Sequence, residues 1–300
     1  AGADAIKFQI YFADELLVKN HPRFKHFEKQ AFSKPQWKTL LNKSKNLGVE
    51  IYADIFGIQA YKIANKYKLD GYKIHSSDLN NIPLLELVAR DNVKIFLATG
   101  GSTIMEISNA LKVLSKNTHQ NEIILMHGFQ SYPTAIEDSN LNRLTALQDL
   151  YGPKIKIGYS DHVSGSDSFS TILPSLSLPY YVSYIEKHVT FDRDKKGVDY
   201  YSSLEPEHFQ NFIYEIDRAE KSLGNKIYSF PEAEKEYRHT VKKSWTAAKS
   251  LKKGRVILPN DIIMKRTSNF IHPLFYEDVV GKKLKKSIHS DQTITRDILE

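Results

Sequence analysis

Two short stretches of the sequence end in a histidine that has a carboxylate close by. Residues 157–162 read Ile-Gly-Tyr-Ser-Asp-His, and residues 184–190 read Tyr-Ile-Glu-Lys-His-Val-Thr. Apolar residues lead into polar ones, which is typical of a buried parallel strand where it leaves the core. Imidazole together with carboxylate suits a divalent transition metal. The pair therefore predicts that His162 and His188 bind one metal ion from two sides, whereas either histidine alone would more often be an ordinary strand-end residue.

Strand-like and helix-like segments alternate along the first 223 residues. Seven strands are predicted, at residues 5–10, 49–55, 71–75, 94–99, 123–126, 155–159 and 184–188. Helices are predicted at residues 36–46, 58–67, 84–90, 104–114, 141–151 and 205–223. Ser102 or Thr103 is the expected N-cap of the fourth helix, and residues 11–35 are expected to form a long polar and aromatic insertion. The alternation indicates a parallel sheet covered by helices.

Polar side chains follow most of the predicted strands. They are Gln9, Asp54, Ser76, Asp78, Thr99, His127, Gln130, Ser160, His162 and His188. In a (β/α)8 barrel every strand ends on the face that holds the active site, whereas an open doubly wound sheet collects ligands only at its switch point. The distribution favours an α/β fold of the TIM (β/α)8-barrel type. Because the chain begins almost directly on a strand, the first strand of such a barrel is expected to be missing from it.

The pattern changes after residue 223. Residues 224–240 are polar, contain Pro231 and are expected to form a linker. Short segments with Gly and Pro turns follow, and they predict a small β-rich domain. The expected organisation is therefore a barrel domain at 1–223, a linker at 224–240 and a second domain at 241–300.

The composition is that of an ordinary globular protein, with 41% hydrophobic and 26% charged residues. No apolar run approaches the ~20 residues that span a bilayer, so no membrane partner is expected. Cysteine is absent, which excludes disulfides and thiol chemistry. A cytoplasmic location is the simplest expectation.

Positive charge is concentrated at the C-terminal end. The net charge is +7, and from residue 221 onwards 17 Lys and Arg stand against 9 Asp and Glu. Such a segment could attract nucleic acid or another anion. Its lysines lack the interleaved aromatic residues that stack on bases, so nucleic-acid binding is the least supported interpretation.

A series of short motifs runs along the whole chain. They are Lys7-Phe8-Gln9, Lys73-Ile74-His75-Ser76-Ser77-Asp78-Leu79, Ala98-Thr99-Gly100-Gly101, His127-Gly128-Phe129-Gln130-Ser131-Tyr132-Pro133, the two histidine stretches and Gly197-Val198-Asp199. In this order they resemble the sialic acid synthase family, which makes N-acetylneuraminic, legionaminic and pseudaminic acids. The last 60 residues, with Lys265-Arg266, are similar to the antifreeze-like SAF domain that follows the barrel in that family.

The resemblance implies a phosphoenolpyruvate-dependent transferase that forms a carbon–carbon bond. Phosphoenolpyruvate would condense with an N-acylated hexosamine, such as N-acetylmannosamine, to give a nine-carbon 3-deoxy-2-keto acid and phosphate with C–O cleavage. The resemblance also implies a divalent metal at His162 and His188, Mn²⁺ before Mg²⁺ or Co²⁺. A homodimer is implied as well, in which each SAF domain caps the neighbouring barrel.

The same resemblance assigns further site residues. Lys73 and Gln9 are implied as catalytic residues beside the two histidines. The implied substrate-binding residues are Lys7, Ser76, Asp78, Gln130, Tyr132, Ser160, Asp199 and Arg266. A substrate that carries both a carboxylate and a phosphate needs cations and hydroxyl donors, and Lys73, Ser76 and Ser160 supply them.

Some positions depart from the family. Asp54 stands where the family has threonine, and it brings a negative charge towards an anionic substrate. Gln130 stands in place of an asparagine, and Ser268 and Asn269 lie in the stretch where Pro and Gly normally follow the arginine. These departures leave a second function open: a catalytically impaired homologue that binds an anionic sugar or regulates a partner synthase. Phosphate release that depends on both substrates separates the two.

Overall fold

The computed structural model describes residues 1–117, 122–225, 228–267 and 274–300. The chain forms two compact units, Ala1–Gly224 and Asn225–Glu300. Ser268 and Asn269 lie outside the described residues. Within the described ranges, no helix has both the length and the apolar composition needed to cross a membrane.

The first unit is built on a parallel sheet whose seven strands lie side by side in chain order. The strands are β1 (Ala5–Tyr11), β2 (Glu50–Phe56), β3 (Gly71–Ile74), β4 (Lys94–Ala98), β5 (Glu122–His127), β6 (Lys156–Asp161) and β7 (Tyr184–Lys187). All seven predicted strands are confirmed, as is the barrel-type arrangement of parallel strands and helices. In the described part of the chain β1 and β7 are edge strands, so the sheet is a curled half-barrel.

Helices cover the outer face of this sheet. They are α1 (Ala13–Leu16), α2 (Phe24–Gln30), α3 (Lys34–Ser44), α4 (Ile58–Lys66), α5 (Ile82–Val88), α6 (Ile104–Leu114), α7 (Asn142–Tyr151) and α8 (Pro206–Leu223). The six predicted helices are confirmed, and the insertion after β1 contains the two short helices α1 and α2. Thr103 is the N-cap of α6: its hydroxyl accepts from the Glu106 backbone N–H, and the Glu106 side chain accepts from the Thr103 N–H at 2.7 Å.

The main core lies between the outer face of the sheet and the helices. Ile51, Ala53 and Ile55 of β2 are all buried there, and Trp37 and Leu41 of α3 belong to the same cluster. Because side chains alternate across a strand, the residues between them point to the inner face. Each fully buried Ile or Leu contributes about 1.5–3 kcal/mol, so this packing fixes which side chains line the inside of the curl.

The inner face carries a small apolar layer below a polar one. The layer consists of Tyr52, Phe96, Ile124 and Met126, with Ala5 of β1 and Tyr184 of β7 packed against it. Since the first and last strands contact one cluster, the sheet must curl around it. A Cβ at Gly158 would lie 2.4 Å from the Met126 sulfur and 3.0 Å from the Tyr184 carbonyl oxygen, so any larger residue there would displace Met126. The polar residues that follow along the strands form the candidate site.

The second unit is a small β-rich domain with its own core. It contains α9 (Glu232–Thr240) and the antiparallel pair β8 (Lys243–Ala247) and β9 (Ile262–Arg266). Helix α9 lies within the segment that was expected to be a linker. Buried Asp261 accepts hydrogen bonds from the Arg255 guanidinium at 3.0 Å and from the Leu258 N–H at 3.0 Å, which ties the turn before β9 to the core.

Candidate active site

The two predicted metal ligands meet on the inner face of the sheet. His162 directly follows β6 and His188 directly follows β7, and their ring centroids are 5.2 Å apart. With Glu186 they form a group of three side chains whose ligand atoms all lie within 4.8 Å of one another. Among the described residues, no other group of three or more His, Cys, Asp or Glu side chains is close enough together to hold one metal ion.

Hydrogen bonding fixes the orientation of the His162 ring. Its Nδ1 lies 2.8 Å from the Phe129 carbonyl oxygen, and a carbonyl can only accept, so Nδ1 carries the proton and donates. The Nε2 lone pair is then left free, which is how metal-binding histidines are usually held. Burial lowers the pKa of His162 to about 4, so the ring is neutral at pH 7.

The His188 ring is also kept neutral, but by different neighbours. Its Nδ1 lies 3.6 Å from Asp199 Oδ2, which is too long for a direct hydrogen bond. Burial, followed by the nearby His162, lowers the pKa of His188 to about 3. The Tyr132 ring packs against both imidazoles, at 4.5 Å from His162 and 5.7 Å from His188 between centroids. Two neutral imidazoles thus stand side by side under an aromatic cover.

Two lysines and two carboxylates form a chain of ion pairs beside the histidines. Lys73 Nζ lies 2.6 Å from Glu186 Oε1, and Lys7 Nζ lies 3.6 Å from that oxygen and 3.3 Å from Asp54 Oδ2. Lys7 is on β1 and Glu186 on β7, so their pair joins the two edges of the sheet. Burial alone would raise the pKa of Glu186, but Lys7 and Lys73 hold it below its usual range. In formal charges the four side chains balance.

The remaining predicted residues of the first unit surround this network or lie close to it. Ser160 Oγ is 3.4 Å from Lys73 Nζ, and Tyr132 donates to Gln130 Oε1 at 2.9 Å. Gln9 is the β1 partner of Asp54 in the ladder, so both point to the inner face.

Ser76 and Asp78 lie in a 3-10 turn directly after β3. Asp78 Oδ1 accepts from Asn81 at 2.8 Å, which is a local contact at the start of α5. Arg266 is an exposed residue at the end of β9 in the second unit.

A fully buried ion pair lies behind the two histidines. Asp161 and Lys187 are cross-strand partners at the ends of β6 and β7, and their side chains pair without any exposed surface. Lys187 also donates to the Val163 carbonyl at 3.2 Å, and Asp161 accepts from the Tyr159 hydroxyl at 3.0 Å. Each member directly precedes a site histidine. The pair therefore fixes the spacing of the two strand ends, and Asp161 does not face the imidazoles.

Two of these residues were not predicted as site residues. Glu186 was noticed only as the carboxylate near His188, although its place two residues before His188 puts both on the inner face. Lys187 lies next to His188 at the end of a four-residue strand, and a lysine is rarely fully buried unless it is paired. The charge opposite it, Asp161, was the available signal.

Removing one member of the buried pair is expected to destabilise the first unit strongly. Lys187→Met leaves Asp161 buried without its cation, which typically costs about 3–5 kcal/mol. The double variant Asp161→Asn/Lys187→Met is expected to recover part of this loss. The chain has two tryptophans, so urea unfolding in a Trp245→Phe background can be followed by Trp37 of the first unit alone.

The control for this experiment is a largely exposed pair that also involves β6. Lys156 of β6 pairs with Glu122 of β5 at 2.5 Å, and 53% of the Lys156 side chain is exposed. Lys156→Met is expected to change the free energy of unfolding by no more than about 1 kcal/mol. Equal losses for Lys156→Met and Lys187→Met would contradict the structural role of the buried pair.

Comparison with known proteins gives matches over the whole chain. The model of the NeuB family matches residues 1–228, and that of the SAF domain matches residues 242–300. The uncharacterized protein MJ1065 of Methanocaldococcus jannaschii is 32% identical over 99% of this chain and 86% of its own. The N,N'-diacetyllegionaminic acid synthase of Campylobacter jejuni is 29% identical over 98% and 90%.

A solved structure shows the same similarity in three dimensions. The crystal structure of N-acetylneuraminic acid synthetase from Leptospira borgpetersenii, determined with citrate, superposes with a TM-score of 0.71 at 30% identity. The match covers 80% of this chain and 82% of that chain.

Proposed function

We infer that this chain, which belongs to the NeuB family of sialic, legionaminic and pseudaminic acid synthases, condenses phosphoenolpyruvate with an N-acylated hexosamine. The products would be a nine-carbon 3-deoxy-2-keto acid and inorganic phosphate. One observation carries the proposal: two neutral imidazoles stand beside buried Lys73 and half-buried Lys7 on the inner face of the sheet. Phosphate release that requires phosphoenolpyruvate and the sugar together tests the proposal.

The residues present fit a divalent transition metal. The Nε2 atom of His162 is free to donate its lone pair because Nδ1 is engaged with Phe129. Glu186 is within reach, but its Oε1 is paired with Lys73, so we assign the ligand role to His162 and His188. When bound there, the metal supplies Lewis-acid polarisation of a substrate carbonyl oxygen. We propose Mn²⁺, with Mg²⁺ or Co²⁺ as alternatives.

Lys73 and Ser160 form the part of the site that suits phosphoenolpyruvate. Lys73 is 4% exposed and lies next to the Ser160 hydroxyl, so an anion there would meet a desolvated cation and a donor together. Hydrogen bonds between charged partners are about twice as strong as neutral ones. Ser76, in the turn that follows β3, is the further hydroxyl that we assign to this side.

Gln9, Tyr132 and Asp199 form the part that suits the sugar. Burial raises the pKa of Asp199 above its usual value, and its carboxylate can accept hydrogen bonds from sugar hydroxyls. Tyr132 closes the site over the imidazoles, and its hydroxyl is fixed by Gln130. The two halves would hold the reactants on either side of His162 and His188, which turns a bimolecular encounter into a reaction at fixed geometry.

The proposed reaction balances without any further reagent. C3 of phosphoenolpyruvate forms a bond to the aldehyde carbon of the open-chain sugar, water adds at C2, and the bond from C2 to the phosphate oxygen breaks. One proton of the water ends on the former aldehyde oxygen, and the other leaves with the phosphate. The side chains bind and orient the reactants and exclude other water.

A second function has one observation in its favour. Glu186 pairs with Lys73, and Asp54 pairs with Lys7. Without a metal, the formal charges of these four side chains therefore sum to zero and give no net attraction for an anionic substrate. A catalytically impaired homologue that binds a sugar or regulates a partner synthase would have such a balanced site. Phosphate release separates this alternative from the synthase.

Replacing Arg266 tests the proposed role of the SAF domain. Arg266→Ala is expected to weaken use of the sugar far more than binding of phosphoenolpyruvate, because we propose that it contacts the sugar in a neighbouring subunit. Steady-state kinetics with each substrate varied in turn measures the difference. Equal losses for both substrates would contradict the role.

A mixing experiment tests whether Arg266 acts between subunits. His162→Ala is expected to be inactive, and Arg266→Ala to release little phosphate at a sugar concentration far below its raised KM, but hybrid dimers of the two would contain one intact site. Random exchange should restore roughly a quarter of the wild-type activity. No recovery after proven exchange would place Arg266 outside the partner's site.

A further inference from the structure

Asp54 has a buried oxygen that receives no hydrogen bond from the described residues. The residue is 1% exposed, and its Oδ2 lies 3.3 Å from Lys7 Nζ. Its Oδ1 is buried and has no hydrogen-bond partner among the described residues. Buried polar atoms nearly always have a partner, so this acceptor is a candidate contact for a ligand.

The position of Asp54 places this oxygen among the proposed substrate contacts. In the ladders, Asp54 on β2 is aligned with Gln9 on β1 and with Lys73 on β3. Aligned residues of parallel strands point to the same face, so the three side chains form one row inside the curl. The row runs from a neutral amide through a carboxylate to the cation that we assign to phosphoenolpyruvate.

We propose that Asp54 Oδ1 accepts a hydrogen bond from a hydroxyl group of the acceptor sugar and thereby sets the specificity for that sugar. This inference rests on the proposed function. An ionised carboxylate can only accept hydrogen bonds. It therefore selects a donor and disfavours an unprotonated phosphate or carboxylate oxygen. A site whose buried polar group expects a partner discriminates strongly against an analogue that lacks it.

The pairing with Lys7 explains why Asp54 does not belong to the anion side. The Lys7 ammonium group pairs with both Asp54 and Glu186, so two carboxylates already compensate its charge. Lys73 contacts one carboxylate, Glu186, and also the Ser160 hydroxyl. The row is thus divided: the anion goes to Lys73, and the hydroxyl groups go to Asp54 and Gln9.

Binding measurements on the full chain test this assignment without requiring turnover. Isothermal titration calorimetry is carried out with a panel of N-acylated hexosamines, with monodeoxy analogues of the sugar that binds, and with inorganic phosphate. Asp54→Ala is expected to lower the affinity for the sugar about tenfold, as for one lost hydrogen bond to a charged group, and to raise the affinity for phosphate. Asp54→Asn keeps Oδ1 without the charge, so it should retain more of the sugar affinity than Asp54→Ala.

The monodeoxy analogues identify the contact. The analogue that lacks the contacted hydroxyl should bind wild type about tenfold more weakly than the parent sugar, and Asp54→Ala should not weaken it further. A variant that merely damaged the fold would weaken sugar and phosphate together. Weaker binding of both sugar and phosphate by Asp54→Ala would overturn the inference. So would additive losses of affinity for every analogue, or the absence of sugar binding by wild type.

The outcomes remain distinct from those of the proposed function. Opposite changes in sugar and phosphate affinity without any phosphate release would support the contact and contradict the synthase. Phosphate release by wild type, with sugar affinity unchanged in Asp54→Ala, would support the synthase and reject the contact.

Discussion

Replacing His162 or His188 with alanine is expected to abolish metal-dependent turnover while the first unit stays folded. Each variant removes one of the two neutral imidazoles that we assign as ligands. A bound metal contributes several kcal/mol of transition-state stabilisation, and each 1.36 kcal/mol is a factor of ten in rate, so the loss should be roughly 10³-fold or more. Phosphate release measures turnover, and manganese titration followed by electron paramagnetic resonance measures metal binding directly.

The control for these variants is another buried histidine. His127 is 3% exposed, its Nε2 lies 2.9 Å from the Ser139 carbonyl, and its ring stacks on Tyr159. It lies outside the three-residue group, so His127→Asn should leave the manganese affinity unchanged. Wild-type manganese affinity in His162→Ala or His188→Ala would reject the metal assignment.

Replacing Lys73 with methionine is expected to remove most of the affinity for phosphoenolpyruvate. The methionine keeps much of the apolar stem but removes the charge that we assign to the anion. Charged hydrogen bonds contribute about 1.5–3 kcal/mol each, and the variant also leaves Glu186 without its partner at 2.6 Å. The KM for phosphoenolpyruvate should rise by about 100-fold or more, with a smaller effect on the sugar.

Lys94 provides a matched control for Lys73. It also pairs with a glutamate at 2.6 Å, Glu50, but both residues begin their strands and so lie at the opposite end of the sheet. Lys94→Met should leave the KM for phosphoenolpyruvate within about twofold of wild type, since Lys94 begins β4 at the end of the sheet away from the proposed anion contact. Equal increases for the two variants would show that loss of a lysine–glutamate pair, not loss of an anion contact, causes the effect.

Much of the fold follows from local patterns in the sequence. The strands were predicted because buried parallel strands are short apolar runs between turn residues, as at residues 94–98 and 122–127. Helix α6 was predicted with either Ser102 or Thr103 as its N-cap, and the structure identifies Thr103, whose hydroxyl accepts from the Glu106 N–H. Helices α1 and α2 could not be predicted in this way, because neither has a side-chain N-cap and α1 has only four residues.

Part of the site could also be predicted from local sequence patterns. The histidines stand at strand ends, and a parallel sheet brings its strand ends together. What the sequence does not contain is which side chains pair across the curl. Asp54 was expected to bring a negative charge towards an anionic substrate, whereas in the structure its carboxylate pairs with Lys7. Similarly, Asp161 was grouped with His162, and only the ladder between β6 and β7 reveals Lys187 as its partner.

Phosphate release from phosphoenolpyruvate, measured with manganese across a panel of N-acylated hexosamines, is the decisive measurement for the proposed synthase. We expect release with at least one sugar, no release with either substrate alone, and loss of release when a chelator removes the metal. A folded, manganese-bound chain that releases no phosphate with any sugar of the panel would contradict the synthase and favour the impaired homologue.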